Sequence, residues 1–290
     1  MTVAHRLAVL TSGATLVLIL AGGLVTNTGS ALAVPDWPTT FGHNMFLYPW
    51  SQMVGGVFYE HSHRLLGSLV GLLTLALAAA LWRVGGGLRV AGVVAAIAVV
   101  AQGVLGGLRV VLLQDVLAIL HGCLAQAFFA LVAGLALATS PRARLPVAPL
   151  EPGVRTGILL AAVLVYLQIV FGALLTHAGW LEMHLLGALA VFALVPVAAA
   201  RLRRSGDAVA EPLARSLLVL LAVQLVLGVA ALVARLAPEL VPAAALVLVL
   251  PAAHRLAGSL ILATAVLLAF RVWSAVKHVP PLVEAAEATP

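Results

Sequence analysis

The chain has 290 residues, 63% of them hydrophobic and 9% charged, with a mean hydropathy of +1.16. Soluble domains are roughly half apolar and a quarter charged, so a soluble globular protein is excluded and an integral membrane protein is expected. The formal charge of +6 does not point to nucleic acid, because twelve of the sixteen basic residues fall in loops expected to share one side of a bilayer.

The N-terminus carries His5 and Arg6, an apolar run from about Leu7 to Val25 and the triplet A31-L32-A33, a pattern that resembles a secretory signal. The run is longer than the roughly 7 to 15 residues of a cleaved signal core, so it reads as a retained first span. A helix needs about 20 apolar residues to cross the hydrocarbon, where no other open structure satisfies its own backbone. Eight such segments follow in order, at about 7–26, 63–82, 90–110, 117–138, 156–176, 183–200, 214–235 and 252–273. Leu240 to Leu250 is also apolar and lies between Pro242 and Pro251, which leaves the joint before the last span open.

Arg6, Arg83, Arg89, Arg142, Arg144, Arg155, Arg201, Arg203, Arg204, Arg215, Arg271 and Lys277 fall on one side, and Arg64, Arg109, Arg235 and Arg255 on the other. Both termini are therefore expected in the cytoplasm, with the protein multi-pass in the cell inner membrane. The expected fold is an all-α integral membrane protein whose eight transmembrane helices form two pseudo-symmetric four-helix bundles. Residues 1–138 make one bundle and 156–290 the other, joined by a cytoplasmic linker at 139–155 rich in Pro and Arg. Internal likeness supports this: V25-T26-N27-T28-G29 parallels L175-T176-H177-A178-G179, and Q102-G103-V104-L105-G106 parallels Q224-L225-V226-L227-G228. Four spans per repeat is an even number, so the copies share an orientation about an axis along the membrane normal.

Four even-numbered spans each open on a histidine. E60-H61-S62-H63-R64-L65-L66-G67-S68 precedes the second and H254-R255-L256-A257-G258-S259-L260 the last, with His121 and His184 in matching places. Alternation of the spans brings all four near the outer face. Ionisable groups inside a membrane are functional candidates by default. One such histidine alone is commonly a packing residue, but within each half they come as a pair on two helices. A pair suits axial ligation of haem iron from opposite faces; zinc, which usually recruits more ligands, is the runner-up. The long first outer loop, about residues 27–62, holds P35-D36-W37-P38, F41-G42-H43, Trp50 and Phe58, aromatics that suit an interfacial cap. Glu60 and His63 are three apart and share a helix face if the helix starts early enough. The plain alternative for Glu60 is a helix-start charge favoured by the dipole.

The E-x-x-H-R signature of Glu60, His63 and Arg64, together with P35-D36-W37-P38, the Q-x-x-x-G segments and the histidines, resembles the haem A synthase family over nearly the whole chain. That resemblance implies eight spans, a haem B cofactor (iron) on His184 and His254, and a haem O substrate flanked by His63 and His121. It also implies oxidation of a haem methyl to a formyl through hydroxylation, with Glu60 as the catalytic carboxylate. Arg64 and Arg255 are expected to pair with haem propionates, which a guanidinium fork recognises, or else to snorkel to the interface. Haem O, membrane lipid, a haem O synthase and an electron donor are the implied partners, and nucleic acid is not one.

Two features depart from the family. Many members carry cysteine pairs in the outer loops, whereas the single Cys123 excludes an intrachain disulfide and a cysteine cluster and reads as packing. The loop between the fifth and sixth spans is also short. A haem-binding electron-transfer or haem-transfer protein without methyl oxidation is the main rival, and a transporter with histidine proton relays is another. His61, His177 and His43 are expected to be exposed loop or interface residues, and His5 and His278 belong to the cytoplasmic ends. The G85-G86-G87 and G103-V104-L105-G106-G107 runs are expected to allow close helix approach.

Overall fold

The computed structural model describes residues 2–274; Lys277 and His278, and the last part of the expected second bundle at 156–290, lie outside the described residues. Eight long helices cross in sequence: α1 (Val3–Asn27), α2 (Gly56–Val84), α3 (Gly86–Leu112), α4 (Asp115–Ala138), α5 (Val154–Ala178), α6 (Leu181–Arg203), α7 (Ala210–Leu236) and α8 (Ala244–Ser274). Each is long and apolar enough to span a bilayer, and no strand occurs among the described residues. The protein is an all-helical, multi-pass membrane protein.

Every expected span is present, but the boundaries move outward at the end that carries the histidines. α2 begins at Gly56 rather than at residue 63, so Glu60, His61 and His63 are all helical and His63 lies about two turns in. α8 absorbs the ambiguous apolar stretch, starting at Ala244 and running through Pro251. His63, His121 and His254 therefore sit within their helices, whereas His184 lies in the first turn of α6.

Each helix packs on its chain neighbours, α1 also touches α4, and α5 also touches α8. A central layer of α1, α4, α5 and α8 joins the halves, with α8 against α1, α4, α5 and α7. Small residues mediate the junction: Ala130 of α4 belongs to the core formed by α5 to α8, and Ala263 of α8 to the core formed by α1 to α4. The buried hydroxyls of Thr11, Thr15 and Thr74 donate to the carbonyl four residues back on their own helix, so no polar group is left bare in hydrocarbon there. Beyond α1 and α5 the chain turns at Gly29 (φ 66°) and Gly179 (φ 76°), left-handed positions that glycine adopts without strain.

At the opposite end, the linker between the halves is tied down by a buried ion pair. Arg271 of α8 donates through Nε and Nη2 to Asp207 at 3.0 and 2.8 Å. Its Nη1 and Nη2 also reach the carbonyls of Leu145 and Pro146. Asp207 accepts in addition from the N–H groups of Ala148, Val209 and Ala210, so it caps α7 while it holds the linker.

Candidate haem-binding sites

The four histidines converge in pairs. His63 of α2 faces His121 of α4 with ring centroids 6.4 Å apart and planes at 77°. His184 of α6 faces His254 of α8 at 6.2 Å and 74°. Two metal–nitrogen bonds of about 2 Å, with about 1 Å from each nitrogen to its ring centre, would set opposed imidazoles about 6 Å apart. Both pairs thus stand at the separation that one shared metal atom would impose. Among the described residues no three His, Cys, Asp or Glu side chains come together, so the donor set is two imidazoles per site, which fits haem iron better than zinc.

The rings are seated in the same way four times, always on the helix that precedes their own. A Cβ on Gly22 would lie 3.0 Å from Cε1 and 3.4 Å from Nδ1 of His63; on Gly106, 3.3 and 3.6 Å from those atoms of His121. On Gly172 it would lie 3.4 and 3.6 Å from His184, and on Gly228 3.0 and 3.4 Å from His254. Four residues before each glycine, the carbonyls of Leu18, Gln102, Gln168 and Gln224 face the rings. At His63, His121 and His254 this approach falls short of hydrogen-bond geometry and leaves Nδ1 buried without a partner. A carbonyl on Nδ1–H is the usual outer-shell arrangement that leaves Nε2 for a metal.

The glutamines distinguish the seats. Gln102 Nε2 donates to the His121 carbonyl at 3.1 Å and Gln168 Nε2 to the His184 carbonyl at 2.9 Å. Gln168 also lies 3.2 Å from Nδ1 of His184, and Gln224 Nε2 lies 3.3 Å from Nε2 of His254. Gln224 therefore covers the nitrogen a metal would take, and its amide must give way on ligation. Leu18 offers the His63 seat no amide.

Glu60 and Arg64 belong to a different assembly. Glu60 accepts from Arg64 Nη2 at 2.8 Å and from the Val34 N–H at 2.9 Å. Arg64 further donates to the carbonyls of Asp36, Thr39 and Val34. Both terminal nitrogens of Arg64 are thus engaged by Glu60 and the loop. Asp36 holds the same loop from within, accepting from Thr39 Oγ1 and the N–H groups of Phe41 and Gly42. Burial works against ionisation of Asp36, but these hydrogen bonds outweigh it and bring its pKa down to about 2.

His61 corrects an expectation. It is 1% exposed, shares a hydrogen bond of 3.1 Å with the Thr40 hydroxyl and packs under Tyr48 with centroids 5.2 Å apart. His43 is exposed, as expected, and His177 is half-buried at the end of α5. The glycine run of α3 serves rings rather than helix approach: Gly106 admits His121, and Gly107 lies so close under the Trp37 indole that a Cβ there would clash with it. Cys123 is buried and free.

Sequence reasoning missed Gly22, Gly106, Gly172 and Gly228 as ring seats. The signal existed in the Q-x-x-x-G spacing, which marks internal likeness in the sequence but does not say what lies opposite.

Fold and site together define an eight-span helical membrane protein with two half-buried imidazole pairs. The profile of the cytochrome oxidase assembly protein family matches residues 5–182, more than half of the chain, and the chain belongs to that family. Two curated relatives carry the name "Heme A synthase". The one from Shouchella clausii (strain KSM-K16) is 36% identical over 121 residues, 40% of this chain and 39% of that protein. The one from Alkalihalophilus pseudofirmus (strain ATCC BAA-2126 / JCM 17055 / OF4) is 34% identical over 130 residues, 43% of this chain and 42% of that protein. The chain thus aligns with about two fifths of the length of these relatives. The family match includes Glu60, His63 and His121 and stops just short of His184.

Proposed function

We propose that this chain is a haem A synthase, oxidising the methyl group of haem O to the formyl of haem A through hydroxylation. The supporting observation is the pair of imidazole gaps, 6.4 and 6.2 Å, together with family membership and the name of the two relatives. The two halves, 1–138 and 156–290, act as two bundles. His63 and His121 flank the substrate haem O in the first, and His184 and His254 hold a haem B cofactor in the second. Haem B, when bound, supplies one-electron chemistry. The half-buried imidazoles would hold the iron, and the glycine seats set the ring planes. Glu60, held in place by Arg64 and the Val34 N–H, serves as the proton-handling carboxylate of the first half. Both termini and the linker lie in the cytoplasm, with the histidine pairs near the outer face of the cell inner membrane.

A second reading, a haem-binding electron-transfer protein without methyl oxidation, is favoured by one observation: both oxygens of Glu60 are occupied by loop and Arg64 donors. Glu60→Gln separates the two. Under the enzyme reading it retains bound haem, yet conversion of haem O, followed by mass, falls by about 100-fold or more, within the usual range for a general acid–base group. Absence of conversion by the parent as well would support the second reading, and conversion by the variant at the parent rate would take Glu60 out of the chemistry.

A further inference from the structure

Two guanidinium groups near the histidine pairs have no acceptor. Arg255 and Arg109 make no side-chain hydrogen bond or ion pair among the described residues. Arg255 lies eleven residues into α8, about 16 Å below the start of that helix. A cation at that depth is costly unless an anion meets it. Among the described residues no carboxylate forms an ion pair with it: Glu60 is bound to Arg64, and Asp207 to Arg271 at the other end of α8.

The side chain also crosses between halves. A Cβ on Gly23 of α1 would lie 3.0 Å from Arg255 Nη1. Gly23 is the residue after Gly22, the seat of the His63 ring. Consecutive glycines on α1 thus admit an imidazole from α2 and a guanidinium from α8. Arg64, which holds the place after His63 that Arg255 holds after His254, is consumed by Glu60 and the loop carbonyls. The first half therefore lacks a free arginine in that place, and the second half's arginine lies on the first half's helix. Arg109, near the end of α3, is likewise unmatched, with Glu60 and Asp115 the acidic groups that act on it; Arg235 on this side is also unmatched but exposed.

We propose that Arg255, at the junction of the halves, and Arg109 of α3 bind the two propionates of the haem held by His63 and His121. This rests on the haem reading above and extends it: the C-terminal half contributes a binding group to the substrate haem. Two carboxylates meet two guanidiniums, each able to receive a bidentate pair.

The test uses the full chain with His184→Ala and His254→Ala, so that iron protoporphyrin IX can bind only in the first half, and follows the Soret band on titration. Adding Arg255→Gln is expected to weaken binding by about 10- to 100-fold, the scale of a charge-assisted hydrogen bond, with Arg255→Lys recovering part of the loss. The dimethyl ester of the porphyrin is expected to bind weakly and to be indifferent to Arg255→Gln. In the converse background, His63→Ala with His121→Ala, the same substitution is expected to leave affinity within a factor of about three. Equal losses for the acid and the ester would make Arg255 a packing residue. A loss confined to the converse background would assign its carboxylate to the other haem. Either result overturns the proposal. Failure of both backgrounds to bind iron protoporphyrin at all, with monodisperse protein, would instead sink the haem reading on which it stands.

Discussion

At the scale of single residues, the most demanding contacts are those where an imidazole edge meets a glycine. A methyl group on Gly228 of α7 would stand 3.0 Å from Cε1 of His254, tighter than side chains normally pack. Overpacking of this kind costs about 1 to 3 kcal/mol in a well-packed interior, here spent on turning the ring. Gly228→Ala is therefore expected to disturb the spectrum of the haem in the second half while leaving that of the first half intact. Low-temperature electron paramagnetic resonance resolves the two; identical spectra for parent and variant would show that the seat does not orient the ring. The histidines themselves were legible in the sequence, because polar groups at matching places in apolar spans are conspicuous. Their seats were not, since a glycine reveals its purpose only when the side chain opposite is known. His61 misled for a related reason: nothing in E60-H61-S62-H63 says that the loop from residue 28 to 55 folds back and covers one imidazole with Thr40 and Tyr48.

At the scale of elements, hydropathy found all eight helices and misplaced their starts. Glu60, His61, Ser62, His63 and Arg64 lower the local hydropathy, so the apolar run begins only at Leu65, yet the backbone is helical from Gly56. The loop makes this possible by supplying partners: Val34 N–H to Glu60, and three carbonyls to Arg64. Arg64→Gln is accordingly expected to loosen the loop as well as to slow turnover, seen as faster hydrogen exchange across residues 34–42; unchanged exchange would show that the clamp is dispensable. The linker is held in a comparable way by Asp207 and Arg271. Removing one member of a buried pair strands the other, at about 3 to 5 kcal/mol, so Asp207→Asn is expected to lower the melting temperature in detergent by several degrees. Burial of Asp207 opposes ionisation, but Arg271 and the N–H groups of Ala148, Ala210 and Val209 bring its pKa down to about 2. A carboxylate depressed in the folded state stabilises above its unfolded pKa and loses that contribution as pH falls through the folded value. The stabilisation from Asp207 is thus present above about pH 4 and lost towards pH 2. The Asn variant should lack this part of the acid dependence, and a parent and variant with the same melting temperatures across that window would contradict the assignment.

At the scale of the whole molecule, the halves share a central layer rather than meeting at a thin seam. α8 touches α1, α4 and α5, and Asn27 at the end of α1 donates to the Leu248 carbonyl of α8 at 2.9 Å. Repeated sequence segments indicated two bundles, but they did not reveal that each histidine is served by the helix before it, a helix-pair unit used four times. Nor did they reveal that Arg255 leaves its own half. Both facts depend on which side chains meet across helices, information that a one-dimensional pattern does not carry. The account as a whole rests on each imidazole pair holding one haem. The most direct measurement is the haem-to-protein ratio of the purified chain beside its His63→Ala/His121→Ala and His184→Ala/His254→Ala forms, with coordination read from the optical spectrum. Two six-coordinate haems per chain are predicted, one lost from each double variant; a parent without haem, or variants that keep the full complement, would contradict it.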